Sequence, residues 1–561
     1  MRFPTAIAAL ALALLPGSNA FFQAKQRFAT QMAELGLKRD GSPVHGHRLT
    51  ARDDPTVPVQ YIELPLDHFG GHKGTFRNRY WVNTAGYKPG GPIFVYDMSE
   101  TFEGSQPDTT LALRLLNDNA VFKQLIHDLG GIGILWENRG YGQSWNVPIN
   151  NSTPPEAFEF LTLEQTLEDL VVFAQQFSVK GINEKLTPDQ RPWIHYGGSA
   201  GAVHGSVLRN KRPDIFYAAW ASSATSQAVV DFNEYFDGVF DGLVSKGFGN
   251  CTQDIKAVMQ YIDRILDSGD ETAKSKLKER FLGASGTKNP DRSFAESFAG
   301  MYSNYQAHGV DGDGFALRGF CDHISTDPAT PGHFAPKQGW AATKGIDWTL
   351  SRWTSYAPYI DSVNTYFATS CTGNATASDC TFLQTATDPG QITYLWQTCT
   401  QGGAFQPANI GPKQLLPKAD TLENVMNQCK VVFPTASLPK FPRVDALNAY
   451  TGGWNIRPSN TFFTYGELEP WVPLGVLSKR KEAPKNVEIS EVVPKCGVSG
   501  GDGKVFGMVL RDQEHCFDVT SRVVEGDAVR ARGLVREALR AWLKCFVKGK
   551  TGGMKERRWI A

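Results

Sequence analysis

The sequence predicts an α/β protein whose parallel β-sheet is covered by helices on both faces. Short, continuous apolar runs bounded by glycine and proline recur in the first half of the chain, at 92–96, 133–136, 193–196 and 217–221. Helical patterns separate them, at 109–129 and 163–177. Continuous apolar strands that alternate with helices are typical of a parallel sheet that is buried on both sides. An alternating segment at 75–82 predicts one further strand ahead of the first run.

A second observation is a long interruption of this pattern. Strand–helix alternation stops after about residue 226, and strand character returns at 460–465 and 504–510. A helix with one apolar face then follows at 527–546. We therefore predict one core in two parts, at 56–226 and 441–547.

The intervening residues 227–440 predict a mostly helical domain that packs over the sheet. They contain helix candidates at 254–267 and 272–281, loops rich in Gly, Thr and Asp, and six of the nine cysteines. This concentration of cysteines predicts that disulfides staple the inserted domain.

The first 20 residues have the pattern of a secretory signal peptide. Arg2 is followed by a short apolar stretch at 6–15 and by small residues before a cleavage point after Ala20. The apolar stretch is too short to span a bilayer, and no later segment offers the ~18 uninterrupted apolar residues that a spanning helix needs. We expect an exported protein with no membrane span, in which 21–55 form an N-terminal arm or a propeptide and 548–561 form a solvated basic tail.

The net charge and the number and spacing of the cysteines restrict the classes of function that we expect. The 57 basic and 57 acidic residues give no net charge, which argues against a nucleic-acid partner or adsorption to an acidic membrane. Nine cysteines fit an oxidising compartment, and the odd number leaves at least one without an intramolecular partner. None has the paired spacing of a zinc site, so we predict neither a metal nor a cofactor. Sequons predict glycosylation at Asn150, Asn151, Asn250 and Asn374.

The sequence Gly-Gly-Ser-Ala-Gly at 197–201 lies between a strand at 193–196 and a helical segment at 202–210. This is the context of a nucleophile elbow, in which a strained turn projects a serine from the top of the sheet. The strand and the helix nearly touch there, and Gly197 and Gly201 supply the small residues that this approach requires. The pentapeptide by itself fits a glycine-rich turn equally well, so the partners of Ser199 must decide.

A nucleophilic serine needs a histidine to take its proton and an acid to orient that histidine. In sheet-based hydrolases these follow in the order Ser, Asp or Glu, His, each at the end of a strand. Of the eleven histidines, only His515 follows a strand near the C-terminus. The preceding strand is followed by Glu467 and Glu469, and both are candidates for the acid. A histidine in an ordinary surface loop is the alternative for His515.

Seven segments of the chain together resemble one known family. They are Leu-Asp-His-Phe at 66–69, Gly-Thr-Phe-Arg-Asn-Arg-Tyr at 74–80, Gly-Pro-Ile-Phe at 91–94, Glu-Asn-Arg-Gly-Tyr-Gly-Gln-Ser at 137–144, the elbow, Gly-Glu-Leu-Glu-Pro-Trp at 466–471 and Glu-His-Cys-Phe-Asp at 514–518. In this order they resemble the serine carboxypeptidase S28 family of Pro-Xaa carboxypeptidases, dipeptidyl peptidase II and secreted acid prolyl endopeptidases. The resemblance implies an α/β-hydrolase core, an inserted helical cap, and cleavage after proline or another small residue.

The resemblance also assigns roles to single residues. It implies Ser199 as nucleophile, His515 as base and Glu469 as acid, where the family usually has aspartate before Pro-Trp. Glutamate lengthens the side chain by one methylene, about 1.5 Å, and serves as the triad acid in other hydrolases. Trp471 resembles an aromatic residue that lines a substrate subsite in relatives, and a plain core tryptophan is the alternative.

The chain departs from the family pattern around the expected oxyanion hole. Ala200 stands where relatives often have an aromatic residue, and the loop at 97–100 lacks the usual glycines. The family's Glu-His-Arg is Glu-Asn-Arg at 137–139. An oxyanion hole needs backbone N–H groups rather than particular side chains, so Ala200 still qualifies as one donor. The second donor, expected in the loop at 97–100, stays open.

Disulfide pairs follow from the resemblance rather than from spacing. It implies the bonds Cys251–Cys321, Cys371–Cys380 and Cys399–Cys429 in the inserted domain. The three remaining cysteines stay unassigned. A Cys496–Cys516 bond would fix the loop that carries His515, here called the histidine loop, and would leave Cys545 without a partner.

The favoured function is a secreted serine peptidase that hydrolyses peptides after proline or a small residue through an acyl-enzyme. A lysosome- or vacuole-like compartment is the alternative location, and a homodimer stays open. Two other functions are an esterase or lipase on the same fold and a catalytically silent, peptide-binding relative. The silent relative is an alternative because the loop at 97–100 lacks the usual glycines and because Glu469 replaces the usual aspartate.

Overall fold

The computed structural model describes residues 57–99, 115, 120–311, 316–330, 332–367, 369–371, 380, 382, 388–500, 503–520 and 523–549. The predicted signal peptide at 1–20, the arm at 21–55, the sequon at Asn374 and most of the basic tail lie outside these residues.

The strands of the described chain form one large mixed sheet and one small ribbon. Their bounds are β1 Gln60–Pro65, β2 Thr75–Asn83, β3 Ile93–Asp97, β4 Ile132–Trp136, β5 Trp193–Gly198, β6 Phe216–Ser222, β7 Val229–Asp231, β8 Gly403–Phe405, β9 Thr461–Gly466, β10 Glu488–Ser490 and β11 Lys504–Leu510. Nine of them pair in the order β1-β2-β4-β3-β5-β6-β9-β11-β10. β2 runs antiparallel to both neighbours, and the pairs from β4 to β10 are parallel. This is an α/β-hydrolase fold.

The α-helices of the described residues have the following bounds. They are α1 Val121–Asp128, α2 Leu163–Gln176, α3 Ala200–Lys211, α4 Glu234–Ser245, α5 Gly249–Leu266, α6 Glu271–Leu282, α7 Asp291–Glu296, α8 Tyr305–His308, α9 Leu317–Ser325, α10 Ile346–Thr354, α11 Ala357–Phe367, α12 Pro389–Gln397, α13 Leu422–Val432, α14 Val444–Thr451 and α15 Gly526–Leu543. The helix predicted at 109–129 is described mainly by α1, because 101–114 and 116–119 lie outside the described residues.

The central strands are largely apolar because helices cover both faces of the sheet. All five residues of β3 and of β4 are buried. On one face, α2 and α3 pack in a cluster that contains Trp136, Phe173 and Trp193. On the other face, α1 and α15 pack in a cluster with Trp220 and Trp542. Each side of the sheet thus removes a large apolar area from water, which is the main stabilising contribution of such a core.

Buried ion pairs fix the loop that follows β4. Nε of Arg79 lies 2.6 Å from Oε2 of Glu137, and Nε of Arg139 lies 2.6 Å from Oδ2 of Asp169. Nε2 of His68 contacts the other oxygen of Asp169 at 2.7 Å. Buried charges of this kind are stable only when paired, so these contacts hold the first residues of the loop, Glu137 and Arg139, in one position.

The inserted domain lies between two neighbouring strands of the sheet. β6 and β9 are paired, with Trp220 opposite Phe462, although more than 200 residues separate them in the sequence. Helices α4 to α13 fill the insertion and share an apolar core around Phe281 and Trp353. A short parallel pair, β7 and β8, was not predicted. Disulfides join the pairs that the resemblance implied: Cys251–Cys321, Cys371–Cys380 and Cys399–Cys429.

The disulfide considered between Cys496 and Cys516 is wrong. Cys496 is bonded to Cys545, which follows the end of α15, and Cys516 keeps a buried thiol outside the disulfides. The backbone of Cys516 has φ 62°, and its Sγ lies 3.8 Å from the carbonyl oxygen of Ser222. The thiol is therefore held in the core next to the end of β6.

Two further features concern only the part of the chain described above. There, no helix has the length and apolar character needed to cross a bilayer. Within the same residues, no group of three or more His, Cys, Asp or Glu side chains is arranged to hold a metal ion.

Candidate active site

Ser199 occupies a sharp turn between β5 and α3. Its backbone has φ 56° and ψ −120°, a conformation that non-glycine residues rarely adopt and that stores strain. A Cβ on Gly197 would lie 2.5 Å from the carbonyl carbon of Gly201, so only glycine allows the strand and the helix to approach this closely. The turn thus has the geometry of a nucleophile elbow.

The structure brings Ser199, His515 and Glu469 together at the carboxyl edge of the sheet. Oγ of Ser199 lies 2.9 Å from Nε2 of His515, and Nδ1 of His515 lies 2.5 Å from Oε1 of Glu469. Because a carboxylate only accepts, Nδ1 carries the donated proton and Nε2 is left to accept from the serine hydroxyl. All three side chains are buried. Such a chain can activate a hydroxyl for attack on a carbonyl carbon.

The second oxygen of Glu469 is held by two further donors. Oε2 accepts from the hydroxyl of Ser223 at 2.8 Å and from the N–H of Gly466 at 3.0 Å. Ser223 also accepts from the N–H of Cys516 at 3.0 Å, so one hydroxyl connects the acid to the histidine loop. The sequence prediction missed Ser223. Its one signal was its place directly after β6, at the same edge of the sheet as the other three residues.

The other candidate for the acid lies elsewhere. Glu467 is exposed, and its Oε2 accepts from the backbone N–H of Asp512 at 2.9 Å. It therefore stabilises the turn after β11 and does not contact His515.

The inserted domain contacts the histidine loop through Gln306. The carbonyl oxygen of Gln306 accepts from the N–H of His515 at 3.1 Å, and its Oε1 accepts from Nε1 of Trp471 at 2.8 Å. The ring of Trp471 packs against Phe232, with centroids 5.1 Å apart. Trp471 is therefore a buried packing residue that also borders the cavity next to the elbow.

A cavity of about 170 Å³ opens beside the elbow, between the core and the inserted domain. Its walls include Ala200, His204, Tyr394, Trp471 and Leu474. No Asp, Glu, Lys or Arg is among the described residues that line it. The arrangement is that of a small pocket next to Ser199 whose described lining has no carboxylate, lysine or arginine side chain.

A family model described as Serine carboxypeptidase S28 matches residues 64–492. The chain belongs to the serine carboxypeptidase S28 family. The matched range contains Ser199 and Glu469 and ends before His515. Membership in S28 makes the chain a serine-type peptidase.

Curated relatives carry names of the same kind. A probable extracellular serine carboxypeptidase of Arthroderma benhamiae is 25% identical over 453 residues, which cover 75% of this chain and 59% of that protein. This S28 chain thus spans less than two thirds of that relative's length. A thymus-specific serine protease of Homo sapiens is 24% identical over 519 residues, with 88% of each protein covered.

The solved structures with a similar fold share little sequence identity with this chain. A proline iminopeptidase of Mycobacterium smegmatis has a TM-score of 0.34 and 9% identity, with 87% of this chain and 99% of that chain covered. An esterase from Pyrobaculum calidifontis has a TM-score of 0.28 and 10% identity, with 94% and 89% covered.

The oxyanion side of this S28 site differs from a glycine-rich loop. The backbone N–H of Ala200 has no acceptor among the described residues, and it lies at the first turn of α3. In the loop after β3, the N–H of Met98 donates to Trp136 and the N–H of Ser99 donates to the Asp97 side chain. These two N–H groups therefore do not serve as the second donor, and Glu100 lies outside the described residues.

A second buried carboxylate, that of Asp518, lies at the same edge of the sheet. Asp518 accepts from Nε1 of Trp220 at 2.8 Å, from the hydroxyl of Ser222 at 2.5 Å and from that of Thr464 at 2.6 Å. Burial raises the pKa of Asp518, and these hydrogen bonds work in the opposite direction. By joining the ends of β6 and β9, Asp518 fixes the strands on which Ser223 and the Glu469 loop depend. The sequence prediction did not identify this role.

The sequons that the structure describes differ in surroundings. Asn150 and Asn151 are exposed in a turn after β4. Asn250 is half-buried in the first turn of α5, where its Nδ2 donates to the carbonyl oxygen of Ala335 at 3.1 Å. An attached glycan would replace one of the two hydrogens on that same nitrogen, and modification of Asn250 stays a prediction.

Proposed function

We propose that this S28 peptidase is secreted and hydrolyses peptide bonds after proline or another small residue through an acyl-enzyme on Ser199. One observation carries the proposal: a continuous hydrogen-bonded chain runs from the Ser199 hydroxyl through the His515 imidazole to the Glu469 carboxylate. The chain order of these three residues and the distances between them support this proposal, because acyl transfer uses such a relay.

The proposed reaction has two halves. In the first, Oγ of Ser199 attacks the scissile carbonyl carbon while Nε2 of His515 takes the hydroxyl proton. The same proton then passes to the leaving amine as the carbon–nitrogen bond breaks. In the second half, water attacks the carbonyl carbon of the acyl-enzyme while Nε2 of His515 takes a proton from it. His515 then returns this proton to Oγ of Ser199 as the ester bond breaks and the peptide leaves with a new carboxyl group. Glu469 holds the imidazole in the required tautomer and stabilises its charged form, and the N–H of Ala200 donates to the developing oxyanion.

The cavity beside the elbow supports a preference for a compact, uncharged residue. Its volume of about 170 Å³ is well below the ~300–1,000 Å³ of pockets for drug-sized ligands. Trp471 and Leu474 supply apolar walls, and the described lining has no Asp, Glu, Lys or Arg to attract a charged side chain. Proline meets both conditions, because its ring is compact and apolar.

Secretion is supported by independent features. The signal-peptide pattern at 1–20 predicts export, and four disulfides are typical of a protein in an oxidising compartment. The Arthroderma benhamiae relative is named as extracellular.

Profiling of cleavage in a mixed peptide library tests the proposal. We expect cleavage after proline, and more slowly after alanine, to exceed cleavage after leucine, phenylalanine or lysine by at least about tenfold, since one methylene in a pocket is worth about 1–3 kcal/mol. A panel of p-nitrophenyl esters runs in parallel. Turnover of esters without cleavage of any peptide would instead identify an esterase, and no turnover of either class would identify a silent relative.

A further inference from the structure

A buried carboxylate at the end of β3 connects four polar residues next to the elbow. Oδ1 of Asp97 accepts from the N–H of Ser99 at 2.7 Å and from Nδ2 of Asn138 at 2.6 Å. Oδ2 faces Nδ1 of His204 at 2.7 Å and Nε2 of His195 at 3.3 Å. We call these five residues the Asp97 hub. None of them belongs to the triad.

The hub joins the segments that meet at the catalytic edge. Asp97 ends β3, Asn138 lies in the loop after β4, His195 is on β5 and His204 is on α3. Nδ2 of Asn138 donates also to the carbonyl oxygen of Ser99 at 3.0 Å, so the amide clamps both ends of the turn. Asp97 and Asn138 are among the positions at which the chain departs from the family pattern, and the structure places them in direct contact.

The two histidines of the Asp97 hub lower the pKa of the Asp97 carboxyl group. Burial alone would raise the pKa of Asp97, but the charge of His204 and hydrogen bonds from both imidazoles lower it well below its ordinary value. Burial lowers the pKa of His195, although its contact with Asp97 works in the opposite direction. The titratable groups that face the Asp97 carboxylate are thus His195 from β5 and His204 from α3.

The hub is in contact with the first turn of α3. Ser99 has a left-handed backbone, with φ 58°, and its Oγ accepts from the N–H of Gly201 at 3.1 Å. A Cβ on Gly201 would come within 3.1 Å of the carbonyl oxygen of Asp97, so the loop packs directly against the helix. Ser99, Ala200 and His204 border the same cavity. A shift of the Ser99 turn would therefore move the part of the cavity wall that borders Ala200.

We propose that Asp97 is a positioning residue, which holds the Ser99 turn against the first turn of α3 and so sets the geometry of the oxyanion hole. Asn138, His195 and His204 keep the carboxylate in place. The inference rests on the proposed acyl transfer at Ser199. Because the oxyanion forms in the transition state and the tetrahedral intermediate and not in the bound substrate, loss of this positioning lowers kcat and leaves the ground-state binding of substrate unchanged.

The Asp97→Asn variant tests the proposal, with Asn138→Ala as a second and milder change. For both we expect kcat to fall about 10- to 100-fold, with KM within about twofold, since loss of a direct oxyanion donor costs about 10²- to 10³-fold. Affinity for a peptide boronic acid, whose tetrahedral adduct presents an oxygen to the oxyanion hole, should fall by a similar factor. Affinity for the product peptide should not change.

Asp254→Asn is the matched control. Asp254 is a fully buried carboxylate that accepts two backbone N–H groups in the inserted domain, from Trp340 and Ala341. Its substitution should lower thermal stability without a change in kcat per folded molecule. An unchanged kcat in Asp97→Asn, or a loss equal to that of Asp254→Asn, would overturn the proposal. If Ser199→Ala kept its activity, the proposed function would fail instead, and the two failures are thereby distinguished.

Discussion

Glu467 and Glu469 lie two residues apart in one loop, but the side chain of Glu469 is buried and that of Glu467 is exposed. Glu469 is 3% exposed and contacts Nδ1 of His515, whereas Glu467 is exposed and accepts from the backbone of Asp512. The turn after β9 is tightly constrained, because a Cβ on Gly466 would lie 2.1 Å from the carbonyl oxygen of Glu514. The backbone course of this loop therefore decides which of the two glutamates reaches the histidine.

Matched substitutions of the two glutamates follow from this relationship. Glu469→Gln should lower kcat about 10³- to 10⁴-fold, because an amide does not stabilise the imidazolium and favours the wrong tautomer. Glu467→Gln should stay within about threefold of the parent. Steady-state hydrolysis of a prolyl peptide measures both. A larger loss in Glu467→Gln than in Glu469→Gln would contradict the assignment.

Ser223 supports the acid, so its removal should weaken catalysis without abolishing it. In Ser223→Ala, Oε2 of Glu469 keeps the N–H of Gly466 and loses one of its two donors. We expect kcat to fall about tenfold and the free energy of unfolding to fall by about 1–3 kcal/mol, the cost of an unsatisfied buried group. Ser297→Ala is the control, since Ser297 is equally buried and donates to Phe294 in the inserted domain. Equal kcat values in the two variants would count against the role of Ser223.

Thiol chemistry tests the cysteine pairing. With four disulfides formed, Cys516 is the remaining thiol, and it is buried. The native protein should resist alkylation, and the denatured, unreduced protein should take up one label, on Cys516. Peptide mapping without reduction should yield a linked peptide that contains Cys496 and Cys545. A peptide that links Cys496 to Cys516 would show that the histidine loop is tied differently.

The stability of the protein should depend on pH through Asp388. Its side chain caps α12 by accepting from the N–H of Gln391, and burial raises its pKa to about 6. A raised pKa in the folded state means that its contribution to stability is complete below the ordinary value near 4 and is lost as pH rises through about 6. The loss amounts to roughly 3 kcal/mol, at 1.36 kcal/mol for each pH unit.

Asp388→Asn should remove this dependence, because asparagine keeps the cap and carries no charge. Denaturant unfolding at pH 4 and pH 7 measures the effect. From pH 4 to pH 7, the free energy of unfolding of the variant should rise relative to that of the parent. If the free energies of unfolding of the variant and the parent differ by the same amount at pH 4 and at pH 7, then Asp388 does not titrate in this range. The result bears on the site, since α12 carries Tyr394 and Gln397, which line the cavity.

Much of the scaffold was predictable because local patterns encode it. The strand predicted at 504–510 has the same bounds in the structure, and the other predicted core strands differ by one or two residues at their ends. Ser199 and His515 were identified because both follow strands, and the carboxyl ends of parallel strands meet at one edge of the sheet. Glu469 was not separable from Glu467 by this argument, since both follow β9, and it was chosen by resemblance.

The remaining features depend on contacts between distant segments. Ser223 carries no motif, and its role appears only when β6 and β9 are placed side by side. Cys516 adjoins His515 in the sequence, yet its left-handed backbone turns the thiol into the core. The Asp97 hub joins residues from four separate elements, and no local pattern encodes such an encounter.

Covalent labelling of Ser199 tests the central claim most directly. A peptidyl phosphonate directed at active-site serines should modify the parent protein at one site, which peptide mapping places on Ser199, and should stop the hydrolysis of prolyl peptides in proportion. Ser199→Ala, with its fold verified by circular dichroism, should neither be labelled nor hydrolyse these peptides, because loss of the nucleophile removes several orders of magnitude in rate. Unchanged turnover in Ser199→Ala would contradict the claim that Ser199, His515 and Glu469 form the catalytic triad of this peptidase.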